Sequence, residues 1–228
     1  MSRIRIENVV ASTSLGAELD LKALALALEG AEYDADRFPG LIYRSKQPKT
    51  AILLFHSGKV VCTGGKSLRQ VDDSIRMISE LIRRSGQKIL MHPKIQVQNI
   101  VATANLESAI KLDWIAITLG LDRVEYEPEQ FPGLVYRLEE PRVVILLFSS
   151  GKLVCTGARR PADVELAVQK VTKELQGAGL LRWERSRTNA SAGRTLGKSA
   201  PSTPVSGSPP PASVAPIEAS AARTALAV

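Results

Sequence analysis

Apolar and polar residues follow the same order of short segments twice along the chain. Each copy opens with a strand pattern (residues 4–11 and 95–102) and a helical pattern (about 18–28 and about 106–117). Four strand patterns follow in each copy, and the last two flank a Ser-Gly turn typical of a hairpin. A second helix closes each copy, capped by Ser67 in the first and opened by Pro161 in the second. The order predicts an α+β fold with ten antiparallel strands and four helices on one face of the sheet.

The two copies are related by a long internal repeat. Residues 38–65 and 131–158 are identical at 18 of 28 aligned positions without a gap, and every Phe, Tyr and Cys has a counterpart 93 positions away. A period near 90 indicates a duplicated half-domain, which predicts two halves, 1–92 and 93–183, about an approximate twofold axis. Residues 184–228 contain no aromatic residue and are rich in Ala, Ser and Pro, which predicts a disordered tail.

The predicted strands are apolar on both faces. Alternation within single strands places residues on a common face: Asn8 with Val10, Leu53 with Phe55, and Val61 with Thr63. If the helices cover one face, the other is an apolar surface that carries Asn and Thr and is flanked by Lys and Arg. Such a patch indicates a binding site. A sheet buried on both sides, or a homodimer, explains the same pattern equally well.

Charge and composition narrow the class of protein. The net charge of +7 and the pI near 9.6 favour a polyanionic partner. No apolar run is long enough for a membrane span, and the first residues do not resemble a signal peptide. Two cysteines are too few for a secreted disulfide scaffold, so we expect an intracellular, reduced protein.

The duplicated motifs identify a family. "FPGL(I/V)YR", "SGKxVCTG" and "(E/Q)N(V/I)VA(S/T)" each occur twice, in order and at matched spacing. They resemble the core domain of the TATA-binding protein family in its short archaeal form, over about residues 3–181. The resemblance implies a saddle in which a curved ten-stranded antiparallel sheet carries four helices on its convex face. It also implies that the concave underside binds the minor groove of TATA-box DNA, without a cofactor.

The resemblance assigns roles to individual residues. Four phenylalanines are expected to wedge between base pairs at the two ends of the box: Phe38, Phe55, Phe131 and Phe148. Expected contacts with base edges come from Asn8, Val10, Leu53, Val61, Thr63, Asn99, Val101, Leu146, Val154 and Thr156. The minor groove of A·T pairs presents only hydrogen-bond acceptors, so amide and hydroxyl donors on an apolar surface are suited to read it.

Phosphate and protein contacts complete the expected site. Basic residues near strand ends are the phosphate candidates: Arg37, Arg44, Lys59, Arg137, Arg142 and Lys152. The family binds transcription factor B through an acidic loop, whose counterpart contains Glu127, Glu129 and Gln130. The resemblance thus implies a general transcription factor that recruits transcription factor B and, through it, RNA polymerase. We expect it at the cytoplasmic nucleoid of an archaeon, or in the nucleus of a eukaryote.

Two other classes of function fit the sequence less well. An enzyme is disfavoured because the two histidines, His56 and His92, form no triad or metal-ligand spacing with the cysteines. A related fold that binds protein or RNA would be expected to lose some wedge phenylalanines or a central asparagine, and all of these residues are present.

Overall fold

The computed structural model describes residues 3–120 and 122–181, which form ten strands and four helices. The strands of the first half are β1 (Arg5–Ser14), β2 (Ala31–Tyr33), β3 (Gly40–Lys46), β4 (Lys49–Phe55) and β5 (Lys59–Gly65). Those of the second half are β6 (Gln96–Asn105), β7 (Val124–Glu125), β8 (Leu134–Leu138), β9 (Val143–Leu147) and β10 (Lys152–Ala158). The helices are α1 (Leu21–Ala27), α2 (Leu68–Arg84), α3 (Leu112–Leu119) and α4 (Pro161–Gly177). The predicted tail, 184–228, lies outside the described residues.

All ten strands join one antiparallel sheet in the order β2-β3-β4-β5-β1-β6-β10-β9-β8-β7. The order reads as a mirrored pair of five-stranded units that meet where β1 pairs with β6. This is the sheet that the repeat predicts. The boundary at residues 92 and 93 falls between α2 and β6 and stays a prediction.

The first helix of each half begins later than its apolar spacing predicts. The segment before α1 is bonded to the turn between β4 and β5, because Leu15 N–H donates to Gly58 O and Leu19 N–H donates to His56 O. The same contacts recur before α3, from Leu106 N–H to Gly151 O and from Ile110 N–H to Ser149 O. The hairpin turn accepts hydrogen bonds from these backbone N–H groups, so helical hydrogen bonds are not required there.

The helices cover one face of the sheet. Residues that point toward the helices are completely buried, among them Val9, Ile52 and Cys62 in the first half and Ile145 and Leu153 in the second. Their neighbours along the strands, such as Leu53 and Val61, are only half-buried. We call this second side the open face, since no helix within residues 3–120 and 122–181 packs on it. Among residues 3–120 and 122–181, the alternative of a sheet buried on both sides is therefore wrong.

Glycine determines how the phenylalanines are held at the two ends of the sheet. A helical turn precedes each "FPG" motif, with Phe38 N–H bonded to Asp34 O and Phe131 N–H bonded to Glu127 O. A Cβ added to Gly133 would lie 2.7 Å from the Phe131 ring and 3.1 Å from the Phe148 ring. The equivalent glycine, Gly40, lies against its own ring pair in the same way. The motif therefore needs glycine because two aromatic rings pack on its Cα.

A polar cluster distinguishes the second half from the first. The buried Tyr136 hydroxyl donates to Glu174 Oε2 of α4 at 2.5 Å and accepts a bond from Arg123, whose guanidinium also lies 5.3 Å from the tyrosine ring centroid. Arg123 makes a salt bridge to Glu174 at 3.2 Å. The cluster ties α4 and β8 to the residue before β7. It gives this two-residue edge strand a second attachment.

Replacing Gly133 by alanine should destabilise the protein by about 1–3 kcal/mol, because the new methyl group displaces both rings or the β9 backbone. Chemical denaturation measures the change. Gly177→Ala is the control, since no described atom lies within 4 Å of the added Cβ apart from its chain neighbours and its own helix backbone. At this last residue of α4 the substitution should leave stability unchanged or raise it by up to about 1 kcal/mol. Equal effects of the two substitutions would show that the ring pair does not depend on this glycine.

The two core cysteines should be unreactive in the folded protein. Burial raises the pKa of Cys62 from 9.0 to about 11 and that of Cys155 from 9.0 to about 12. At pH 8 an aromatic disulfide reagent should modify both thiols rapidly in denaturant and very slowly without it. Because the folded pKa values are raised, their contribution to stability is complete below about pH 9 and is lost as the pH rises toward 11–12. Rapid labelling of the native protein at pH 8 would contradict this burial.

Candidate nucleic-acid interface

The centre of the open face lies where the two halves meet. Across the β1–β6 pair, Asn8 lies opposite Val101 and Val10 lies opposite Asn99. This arrangement places two asparagines and two valines in a nearly twofold-symmetric group. Val10 is 8% exposed and lies outside the helix-side core, whereas Val101 is half-buried. Both predicted asparagines and both predicted valines are therefore brought together at one place.

Backbone hydrogen bonds fix the orientation of both asparagine amides. Asn8 Oδ1 accepts from Gly64 N–H at 2.8 Å, and Asn99 Oδ1 accepts from Gly157 N–H at 2.8 Å. A backbone N–H can only donate, so the accepting amide atom must be the oxygen. The amide nitrogens are then the groups left to address a partner, and Asn99 Nδ2 has a long contact of 3.4 Å to Thr156 Oγ1. The centre of the face consequently offers donors.

The glycines that anchor the amides sit at irregularities in strand pairing. Gly64 and Gly157 have φ values of +93° and +95°, a backbone conformation that residues with a side chain rarely adopt. The β1–β5 and β6–β10 pairings shift register at these positions. The extra residue turns the glycine N–H toward the neighbouring asparagine. This geometry explains the glycine that ends each "VCTG" motif. Thr63 and Thr156 lie directly before the two glycines.

Half-buried apolar side chains flank the centre in matched rows. One row runs across β3, β4, β5 and β1, and its equivalent runs across β8, β9, β10 and β6. The first contains Ile42, Leu53, Val61 and Ser12, and the second contains Val135, Leu146, Val154 and Thr103. Sequence reasoning identified the leucines and the valines of β5 and β10. It missed Ile42, Val135, Ser12 and Thr103, whose places in the rows depend on strand register.

The four phenylalanines form two ring pairs at opposite ends of the sheet. The ring centroids are 5.8 Å apart for Phe38 and Phe55 and 5.9 Å apart for Phe131 and Phe148, with interplanar angles of 62° and 66°. Such edge-to-face geometry is favourable for aromatic pairs. Phe131 is 38% exposed and the other three rings are half-buried. None of the four belongs to the helix-side core.

The six predicted phosphate contacts are exposed, but they differ in their surroundings. Lys59 and Lys152 begin the strands after the two ring-bearing hairpins. Arg44 and Arg137 continue the rows of Thr63 and Thr156 toward the edges of the sheet, since strand pairing connects them through β4 and β9. Each of these two arginines faces a glutamate on the adjacent edge strand. Arg37 and Arg142 form no ion pair within the described residues.

The predicted partner-binding residues lie in an exposed loop before Phe131. Glu127 O accepts bonds from Gln130 N–H at 3.0 Å and Phe131 N–H at 2.9 Å, so the loop is a compact turn. Its acidic side chains, Glu127 and Glu129, point into solvent. The same turn in the first half contains Asp34 and Asp36 but has Arg37 where this loop has Gln130. The two ends therefore share backbone geometry and differ in charge.

A carboxylate near the centre of the face breaks the symmetry between the halves. Glu7 Oε1 accepts a bond from Thr103 Oγ1 at 3.1 Å and pairs with Arg5 and Lys66 at 3.4 and 3.8 Å. Its counterpart Gln98 instead donates to Ser12 Oγ at 2.8 Å. The two flanking cations offset the charge of Glu7. Sequence reasoning did not assign a role to this residue.

Neither a metal-binding cluster nor a membrane-spanning helix is found in the described residues. No cluster of three or more His, Cys, Asp or Glu side chains suited to a metal ion occurs within residues 3–120 and 122–181. In the same part of the chain, no helix is long and apolar enough to cross a membrane.

Comparison with known proteins identifies the family. The family model described as "Transcription factor TFIID (or TATA-binding protein, TBP)" matches residues 3–85 and 94–178. A TATA-box-binding protein of Thermoplasma acidophilum is 58% identical over 179 residues, which are 78% of this chain and 97% of that protein. TATA-box-binding protein E of Halobacterium salinarum is 56% identical over 178 residues, 78% of this chain and 96% of that protein.

A solved structure, Methanococcus jannaschii TBP, superposes with a TM-score of 0.71 at 46% sequence identity, covering 77% of this chain and 99% of that chain. This match confirms the predicted saddle-type α+β fold, and the family match confirms the prediction that the protein is not an enzyme. The chain belongs to the TATA-binding protein family of transcription factors.

Proposed function

We propose that this protein is a general transcription factor whose open face binds the minor groove of TATA-box DNA. The observation that carries the proposal is the pair of anchored asparagines, which place amide donors at the centre of an apolar face. The minor groove of A·T pairs offers only the acceptors adenine N3 and thymine O2. A guanine at one of these base pairs would place its amino group, itself a donor, against the amide donors and apolar side chains of the open face. Each such substitution should cost about 1–3 kcal/mol.

The ring pairs supply the means to bend the duplex. An aromatic wedge that enters a base step replaces part of the stacking that it breaks, and unstacking costs a few kcal/mol per step. With 38% of Phe131 exposed, complete burial removes roughly 75 Å² of ring from water and contributes about 2 kcal/mol. One ring alone therefore does not offset a step, whereas two rings at each end do. This magnitude accounts for the presence of Phe38 with Phe55 and of Phe131 with Phe148.

The charged surroundings of the face fit a DNA backbone. Exposed Lys59 and Lys152 begin equivalent strands next to the two ring pairs, where the phosphates on either side of a wedged step would pass. Phosphate contacts of this kind give affinity that falls with rising salt. A homodimer that covers the open face is the second candidate for this apolar surface. It predicts that dimer formation competes with DNA binding, so that DNA occupancy rises less steeply with total protein than one-to-one binding requires.

Sequence-selective binding is tested by a band-shift titration with a TATA-box duplex and a G·C-substituted duplex at two salt concentrations. The unmodified protein should prefer the TATA box strongly, and Phe148→Ala should weaken that binding about tenfold to thirtyfold. Leu166→Ala is the control, because Leu166 is an exposed apolar residue on α4, behind the sheet. Equal affinity for the two duplexes, or unchanged affinity in Phe148→Ala, would falsify the proposed mode of binding.

We further propose that the acidic loop before Phe131 recruits transcription factor B, and through it RNA polymerase. The loop is exposed, its backbone is held by two internal bonds, and its carboxylates are free to meet a basic partner. Its first-half counterpart presents the same turn with Arg37 in place of Gln130. The difference in charge provides a basis on which a partner can distinguish the two ends.

Charge reversal at Glu127 and Glu129 should leave DNA affinity nearly unchanged and abolish a supershift with purified transcription factor B. The matched control reverses Asp34 and Asp36, which occupy the equivalent turn of the first half, and should retain the supershift. An equal loss of the ternary complex in both variants, or an equal loss of DNA binding, would count against the assignment.

A further inference from the structure

The two edge arginines of the open face are held unequally by acidic residues on the neighbouring strands. Arg137 makes three contacts with Glu125: Nε to Oε1 at 3.3 Å, and Nη2 to Oε1 and Oε2, both at 3.2 Å. The equivalent pair in the first half, Arg44 and Glu32, approaches only to 3.7 Å. Exposure does not explain the difference, since the side chains are 60% and 64% exposed in one pair and 61% and 64% in the other.

Both glutamates lie on the side of the sheet that would face DNA. Glu125 pairs with Val135 and Glu32 pairs with Ile42, and these partners belong to the apolar rows of the open face. A carboxylate that accepts two-point hydrogen bonds from an arginine occupies the same donor fork that a phosphate would use. Arg137 therefore cannot bind a phosphate in this geometry without breaking its bonds to Glu125.

We propose that Glu125 is an affinity-limiting residue that withholds Arg137 from the DNA backbone, so that the second half holds phosphates less strongly than the first. The inference rests on the proposed DNA binding. The charges of other residues in the second half support the proposal. Gln130 stands where the first half has Arg37, and Glu139 and Glu140 stand where it has Lys46 and Gln47. The first half therefore has more free positive charge near its end of the open face.

The expected effect is measurable as a change in salt dependence. Each phosphate neutralised by a free cationic side chain contributes about −0.9 to the slope of log K against log salt concentration. Glu125→Gln releases Arg137, and should raise affinity for the TATA box about threefold to tenfold at 0.1 M salt and steepen the slope by about 0.9. Glu32→Gln should have a smaller effect, because Arg44 is not bound in this way.

A double-mutant cycle separates this mechanism from a general effect of net charge. Glu125→Gln is compared in the unmodified protein and in an Arg137→Gln background, with Glu165→Gln on α4 as the control for a unit change in charge far from the open face. The proposal predicts that most of the gain in affinity disappears when Arg137 is absent. A gain equal to that of Glu165→Gln, or a gain that persists in the Arg137→Gln background, would overturn it.

Measurements on the unmodified protein distinguish a failure of this inference from a failure of the proposed function. If the unmodified chain does not prefer the TATA duplex over its G·C-substituted form, both proposals are overturned. If it has that preference but Glu125→Gln changes neither affinity nor salt slope, only the role of Glu125 is overturned. Circular dichroism and thermal unfolding of each variant establish that the fold is retained, since both side chains are more than half exposed.

Discussion

Helices cover only one face of the ten-stranded sheet in the described part of the chain, and the binding surface is a consequence of this arrangement. Four helices bury the inward side chains of the strands and leave outward side chains such as Leu53 and Val61 only half-buried. An apolar surface of this extent is costly to leave in water and is favourable to cover. Both halves repeat the same geometry, with a ring pair at each end of the sheet and asparagine amides at its centre. The minor groove of a duplex is the occupant that we propose for this surface.

The two halves form this surface with the same local contacts. Each half therefore needs every residue of the short motifs that make them. A Cβ added to Gly58 or Gly151 would lie 2.1 Å from a backbone oxygen, so "SGK" requires glycine where the hairpin turn meets the segment before α1 or α3. Gly64 and Gly157 orient the asparagines, and Gly40 and Gly133 make room for the rings. The differences between the halves are electrostatic: Glu7 against Gln98, Arg37 against Gln130, and the tighter Arg137–Glu125 pair.

Strand alternation and an internal repeat are strong signals, and they predicted the sheet and its four helices. They left the open face undecided, and only the resemblance to a family favoured it. The sequence did not predict where α1 and α3 begin, since the segments before them bond to hairpin turns that are distant in sequence. It also missed Ser12, Thr103, Ile42 and Val135, whose positions depend on strand register, and the Glu125–Arg137 contact, which depends on a diagonal pair across an edge strand. The roles of the site residues in DNA binding stay predictions, as does the boundary between the halves.

We propose that the apolar open face, with its amide donors, accepts a minor groove that presents only hydrogen-bond acceptors. Hypoxanthine paired with cytosine tests it most directly, because this pair lacks the amino group of guanine and presents the same minor-groove acceptors as an A·T pair. The affinity of the protein is measured for TATA-box duplexes carrying A·T, hypoxanthine·C or G·C pairs at the central positions. The duplex with hypoxanthine·C should bind within a few-fold of the A·T duplex, and the G·C duplex should bind far more weakly. Binding of hypoxanthine·C as weak as that of G·C would contradict it.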